Sequence, residues 1–188
     1  MLTYALPILI IVLSVIVAIT LIVVFFGFNM IYINLRTLVP WVKTPLANME
    51  RALAEIDLPT GSLVYDLGCG DGRFLFLAEK KGFRMVGYEL SLYPYLKAVL
   101  AKLLRGSSVM VENKDFLKQD LKSADAIFVF LTDAAMEKVS AKLRHDLKAG
   151  VMVISYGFPI IGWQASKILD TKPSKTYIYI NAWSPDIS

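Results

Sequence analysis

No aspartate, glutamate, lysine or arginine occurs before Arg36, and this charge-free start constrains the chain more than any other feature. From Leu6 to Phe28 it is almost wholly Ile, Val, Leu, Ala and Phe. About 20 residues rising 1.5 Å each cross a hydrocarbon core of about 30 Å, so this segment is long enough for a transmembrane helix. A cleaved signal peptide would have a basic start, a shorter apolar stretch and a small-residue cleavage site. Met1-Leu2-Thr3-Tyr4 has no basic side chain, and Phe25-Phe26 stands at the far end. A core helix would need apolar partners on every face, more than the rest of the chain can supply. We read residues 1–35 as a transmembrane anchor and 36–188 as one domain. Phe25, Phe26, Phe28 and Tyr32 suit an aromatic belt at the exit side, and Arg36, Lys43 and Arg51 follow. Basic flanks are retained in the cytoplasm, which predicts the N-terminus outside and the domain on the cytoplasmic side.

The anchor explains a hydrophobic content of 56% and a mean hydropathy of +0.55. All 36 charged residues fall in the remainder, roughly 150 residues, which can bury a core without disulfides or metal. Cys69 is the only cysteine, so there is no intramolecular disulfide and no cysteine-rich zinc site; no metal is expected. The net charge of +4 comes without a long Lys/Arg run, so nucleic acid is not an expected partner. A mildly basic domain suits anionic headgroups, and the lipid bilayer is the expected surface.

Leu46, Met49, Leu53 and Ile56 recur at helical spacing behind Thr44-Pro45, read as an N-cap and a first-turn proline. Strands are expected at Leu63–Leu67, Arg84–Leu90, Val109–Asn113, Ala126–Leu131 and Val151–Tyr156. Helices are expected at Phe74–Lys81, Tyr93–Leu104 and Ala134–Leu147, each followed by glycine within a few residues. Ser166–Asn181 reads as two strands about the turn Lys172-Pro173-Ser174. The alternation predicts an α/β fold: a doubly wound, Rossmann-like, mostly parallel sheet with a C-terminal antiparallel hairpin, preceded by one transmembrane helix.

The first strand runs into Asp66-Leu67-Gly68-Cys69-Gly70-Asp71-Gly72-Arg73. Gly68, Gly70 and Gly72 let the backbone turn tightly and approach a ligand, and the free N–H groups of the helix behind them are expected to face it. Glycines alone also serve dinucleotides in the form G-x-G-x-x-G. Here the pattern is Asp-x-Gly-x-Gly-x-Gly. A carboxylate at the strand end suits the cationic amino end of S-adenosylmethionine and would repel a pyrophosphate. Glu89 ends the second strand, 23 positions after Asp66, where an acid can accept from both ribose hydroxyls. Leu90 follows it, and Asp115 with Phe116 is placed to hold the adenine amino group and ring edge. Cys69 is read as a small packing residue of this loop. Cofactor-binding candidates are thus Asp66, Gly68, Cys69, Gly70, Gly72, Glu89, Leu90, Asp115 and Phe116, with S-adenosylmethionine as the cofactor.

The Asp66–Arg73 loop and Gly87-Tyr88-Glu89-Leu90 resemble the class I, seven-stranded methyltransferases. Within them, Val39-Pro40-Trp41-Val42-Lys43-Thr44-Pro45, the Gly-Asp-Gly-Arg ending and the preceding span are similar to the membrane-anchored lysine methyltransferases of mitochondrial ATP-synthase subunit c and the adenine nucleotide translocase, and to their prokaryotic relatives. The likeness is dense from Val39 to Asp115 and looser after Leu131. It implies transfer of the sulfonium methyl to a neutral lysine amine, a reaction that depends on positioning and desolvation. The implied partner is a membrane-embedded protein substrate.

Aromatic faces attract an ammonium or sulfonium, so Trp41, Tyr156, Phe158 and Trp163 are candidate walls of the acceptor channel. Asp133 either orients the incoming amine or caps an exposed helix. No Asn/Asp-Pro-Pro-Tyr/Phe follows the fourth strand, where Leu131-Thr132-Asp133 stands, which argues against adenine-N6 and glutamine methyltransferases. His145, the only histidine, is read as a solvated surface residue. Two other functions fit the same residues: methylation of a lipid-like small molecule such as a quinone or phospholipid, and non-catalytic binding of S-adenosylmethionine by a membrane protein.

Overall fold

The computed structural model of the chain describes residues 2–37 and 45–182. The first stretch is a single helix, α1 (Leu2–Thr37). Its Leu6–Leu35 segment is long and apolar enough to cross a membrane, and its most apolar window is not buried against the protein at all. That exposure rules out a core helix. Ser14 and Thr20 donate back to the carbonyls of Ile10 and Ile16, both at 2.8 Å, so these two hydroxyls are satisfied within the helix.

The second stretch begins with α2 (Leu46–Ala54) and continues β1 (Leu63–Leu67), α3 (Arg73–Lys80), β2 (Arg84–Tyr88), α4 (Leu92–Arg105) and β3 (Met110–Glu112). After a short 3-10 turn come β4 (Ala126–Val129), α5 (Asp133–Asp146), β5 (Met152–Tyr156), β6 (Lys167–Thr171) and β7 (Ser174–Ile180). The seven strands order as β3-β2-β1-β4-β5-β7-β6. The first five are parallel, and β7 runs antiparallel to both neighbours. This is the doubly wound sheet with a terminal hairpin that the pattern predicted.

Alternate strand residues serve two cores. Val64, Met85, Phe128 and Ile154 pack under α2 and α3, with Phe74 stacked on Phe128 at 3.8 Å. Tyr65, Leu67, Ile127, Val129 and Val153 pack under α5 through Met136, Val139 and Leu143. β1 lies between the two halves, so the order reverses between β1 and β4. Ligands of such sheets bind beyond the carboxyl ends of the strands at that reversal.

The differences from expectation are local. Pro45 stands at the cap position of α2 instead of its first turn. Leu46, expected on the apolar face, is 53% exposed, while Asn48 is buried. The strands predicted to reach Leu90 and Leu131 end two residues earlier, at Tyr88 and Val129. Beyond that point the chain leaves the sheet to line a cavity. Thr44 and the rest of Val39–Thr44, Trp41 included, lie outside the described residues.

Candidate active site

At the carboxyl ends of β1, β2, β4 and β5 is a cavity of about 680 Å³, within the range of small-molecule sites. Its floor is acidic. Asp66, near the end of β1, is only 3% exposed, and no hydrogen-bond donor among the described residues reaches its carboxylate. Burial, and after it the charge of Glu89, push the Asp66 carboxyl well above the ordinary carboxylate range. A buried acid without a donor is costly unless a ligand supplies the positive charge.

Glu89 is held differently. Gly70 N–H donates to Oε2 at 2.9 Å and Ser91 N–H to Oε1 at 2.7 Å. Burial raises its pKa, and these two amides work against the rise. Each oxygen keeps a lone pair for a further donor, so a diol fits across the carboxylate.

The glycine loop between them is a built turn. Gly68 and Cys69 donate to the Tyr88 carbonyl, and Gly72 to that of Cys69. With Gly70 on Glu89, these four loop amides are already used within the fold. What the loop offers is close approach. A Cβ on Gly87, in the neighbouring strand, would lie 2.7 Å from Cys69 Sγ, so β2 must carry glycine for the loop to fold over it. Gly72 has φ +79° and abuts Phe76 and Ala98; it shapes the start of α3 and does not line the cavity. Cys69 lines it, yet burial raises its thiol pKa and leaves it a packing group.

Leu90, Asp115 and Phe116 line the same cavity. Asp115 caps the 3-10 turn by accepting from Leu117 N–H at 3.1 Å through Oδ1. Asn113 Nδ2 donates to the Glu89 carbonyl at 2.7 Å and the Leu90 carbonyl at 3.0 Å, tying β2 to this loop.

The lining at the ends of β4 and β5 is aromatic. Tyr156 and Phe158 belong to it as expected residue types, joined by Phe130, whose ring meets Tyr156 edge-on at 4.8 Å. Asn48 Nδ2 donates to the Tyr156 hydroxyl at 2.8 Å and to the Thr171 carbonyl at 2.9 Å, fastening this wall to α2 and the hairpin. Trp163 is not part of it: its indole donates to Ser140 Oγ at 3.0 Å and packs on Tyr179 in the other core. Asp133 is also outside, exposed at the start of α5 with its carboxylate on Ala134 N–H. Thr132 takes its place at the cavity.

The sequence did not place Ile33, Asn48 or Phe130 at the site, nor the Pro173–Ser174 turn, which it predicted only as a hairpin turn. Ile33 belongs to α1, yet it is buried and lines the cavity. Asn48 had a signal, a polar residue one position before the apolar Met49. Phe130 lay inside an apolar run with nothing to separate it from core.

A parallel sheet with this reversal, a buried unpartnered acid at the end of β1 and a tethered acid past β2 define a class I methyltransferase that uses S-adenosylmethionine. The Asp66 carboxylate fits the cofactor's cationic amino end and Glu89 fits its ribose. The model of the ANTKMT methyltransferase domain matches residues 66–167, and the chain belongs to that family. A protein-lysine N-methyltransferase of Saccharolobus islandicus (strain REY15A) is 30% identical over 76% of this chain and 93% of its own length. The adenine nucleotide translocase lysine N-methyltransferase of Mus musculus is 31% identical over 83% of this chain and 69% of its own. Among solved structures, an RNA methyltransferase from Salinibacter ruber bound to S-adenosyl-L-homocysteine superposes with a TM-score of 0.72 at 26% identity, covering 75% of this chain and 94% of that one.

Proposed function

We propose that this methyltransferase is a membrane-anchored protein-lysine N-methyltransferase whose acceptor is a lysine of another membrane protein near the bilayer surface. The observation that carries the acceptor reading is how the lining is distributed along the sheet: Asp66 and Glu89 come from β1 and the end of β2, Phe130, Tyr156 and Phe158 from the ends of β4 and β5. The relatives named as lysine methyltransferases support it. When bound, S-adenosylmethionine supplies an activated methyl group to a nucleophilic nitrogen.

The cofactor's contacts are assigned to Asp66, Gly68, Cys69, Gly70, Glu89, Leu90, Asp115 and Phe116. The aromatic wall desolvates an entering lysine, which lowers the amine's pKa and favours the neutral nucleophile. Ring faces hold the methylated ammonium that results. No general base is required if the proton leaves to water before the amine is sealed in. Residues 1–35 act as the anchor and 36–188 as the domain; Arg36 and Arg51 after the span support a cytoplasmic domain. Confining enzyme and substrate to one membrane raises their effective concentration.

The test incubates membranes holding the full chain with methyl-labelled S-adenosylmethionine. Label is expected in protein, released on hydrolysis as methyllysine. Label in the organic extract instead would establish a lipid-like acceptor and overturn the lysine reading.

A further inference from the structure

Helix α4 is apolar on the side where a helix packed on a sheet is normally charged. Its face toward the protein is ordinary: Ala98 is fully buried, and Arg105 lies over the Phe76 ring at 4.5 Å. Its outward residues Leu96, Leu100, Leu103 and Leu104 are 45%, 57%, 70% and 80% exposed. On the edge strand β3, against which α4 packs, Met110 is 52% exposed as well. Single exposed leucines need no explanation, but a row at helical spacing marks a contact surface.

Two observations say what covers it. The first is continuity with α1. Asn29 Oδ1 accepts from the Leu92 N–H at 3.0 Å, capping the start of α4, and Phe26 meets the Tyr93 ring edge-on at 6.2 Å. About 20 residues counted from Leu6 exhaust a hydrocarbon core of about 30 Å. Phe26 to Ile33 therefore pass the headgroup region, and α4 is attached to them at that depth. The second is charge. α4 carries no acidic residue and three basic ones: Lys102, Lys97, which also reaches Asp71 at 4.0 Å, and Arg105, which lies on Phe76. Leucines flanked by basic residues are the composition of helices that lie in an anionic membrane interface.

We propose that the Leu96–Leu104 stripe of α4 is a second membrane contact, laid into the interface of an anionic bilayer beside the anchor, with Lys102 in reach of the headgroup phosphates. The contact rests on the reading that α1 spans a bilayer. It fixes the domain at two points, so the cavity, whose lining includes Ile33 of α1 and Ser91 just before α4, is held close to the membrane surface.

Nitroxide labels test this in the full chain, reconstituted sparsely into phosphatidylcholine–phosphatidylglycerol vesicles. Single cysteines are placed at Leu100, Leu103, Val17 and Glu137 in a Cys69→Ala background, and collisions with oxygen and with a nickel chelate are compared. Oxygen is expected to dominate at 17 and, less strongly, at 100 and 103, and nickel at the exposed α5 position 137. Omitting phosphatidylglycerol is expected to make 103 shallower. Labels at 100 and 103 that behave like 137 while 17 stays deep would overturn the second contact and leave the anchor standing. Labels shielded from both reagents would mean that protein, such as a second copy, covers the stripe, which also overturns it. A label at 17 that behaves like 137 would overturn the anchor itself.

Discussion

Asp66 at the end of β1 and Asp146 at the end of α5 are withdrawn from water almost equally, 3% and 2% exposed, yet the two regions treat the same side chain in opposite ways. Asp146 receives Leu121 N–H at 3.0 Å, Lys142 Nζ at 2.8 Å and the His145 ring at 2.7 Å. Burial alone would raise its pKa, but these donors outweigh burial and hold it below the ordinary value. Asp66 has no such donors, and burial and Glu89 hold it well above. A structural acid comes with its partners; an acid left without them inside a cavity is waiting for a ligand that brings the charge.

The sharpest way to break this comparison is Asp66→Asn. Replacing a buried carboxylate by its neutral isostere is expected to weaken S-adenosylmethionine binding by about 3 kcal/mol, on the order of a hundredfold, from the worth of a charged hydrogen bond. The cofactor-free protein should meanwhile melt at an equal or higher temperature, because an uncompensated charge has been removed. Calorimetry for the first and thermal unfolding for the second check both halves. Undiminished affinity would take Asp66 out of the site. Asp146→Ala should do the converse, lowering stability by about 2–3 kcal/mol in denaturant unfolding by stranding the Leu121 amide and Lys142, with cofactor affinity unchanged in the fraction that remains folded.

The pH dependence follows with opposite signs. Asp146, depressed in the fold, contributes stability present above the unfolded value of about 3.9 and lost as pH falls through its lower folded value. Asp66, raised in the fold, favours the folded state fully below about 3.9, and that contribution is lost as pH rises through its higher folded value. Unfolding free energies of the cofactor-free protein should therefore respond to Asp66→Asn increasingly as pH rises above the ordinary carboxylate range, and to Asp146→Ala already at that range and above it. Glu89→Gln is a smaller step, about 1–2 kcal/mol of cofactor affinity by titration calorimetry, since the Gly70 and Ser91 amides already share its oxygens.

Much of this contrast was legible before folding, on the cofactor side. A strand-end acid followed by alternating glycines has few other uses, and Glu89 falls where a second strand must end. Local signals of that kind are carried by consecutive residues. The aromatic wall was only half legible: Tyr156 and Phe158 follow β5 into the cavity, whereas Trp163, five residues on, turns back to the other core because Ser140 and Tyr179 receive it. Phe130 and Ile33 were invisible, since in sequence each is one apolar residue among many, and only tertiary packing selects it. Of the three donors to Asp146, Lys142 and His145 are neighbours on its own helix, and only Leu121 was hidden for the same reason, being brought to the end of α5 by the chain between β3 and β4.

The smallest predicted effect bears on whether the Asp146 region is structural at all. His145 is the only histidine, and a histidine is the commonest proton acceptor in catalysis. Its side chain is 80% exposed, and its contact is the hydrogen bond to Asp146. The cavity meets α5 at Thr132, Ala135 and Lys138; seven residues at 1.5 Å each put His145 about 10 Å along the helix from Lys138, beyond the reach of a direct proton transfer. One of three donors to a buried acid, reached from solvent, is worth about 0.5 kcal/mol or less. His145→Gln should therefore shift the denaturation midpoint barely and leave the rate of methyl transfer unchanged across pH. A tenfold fall in that rate, with stability preserved, would make the α5 end part of the chemistry and erase the distinction between the two aspartates.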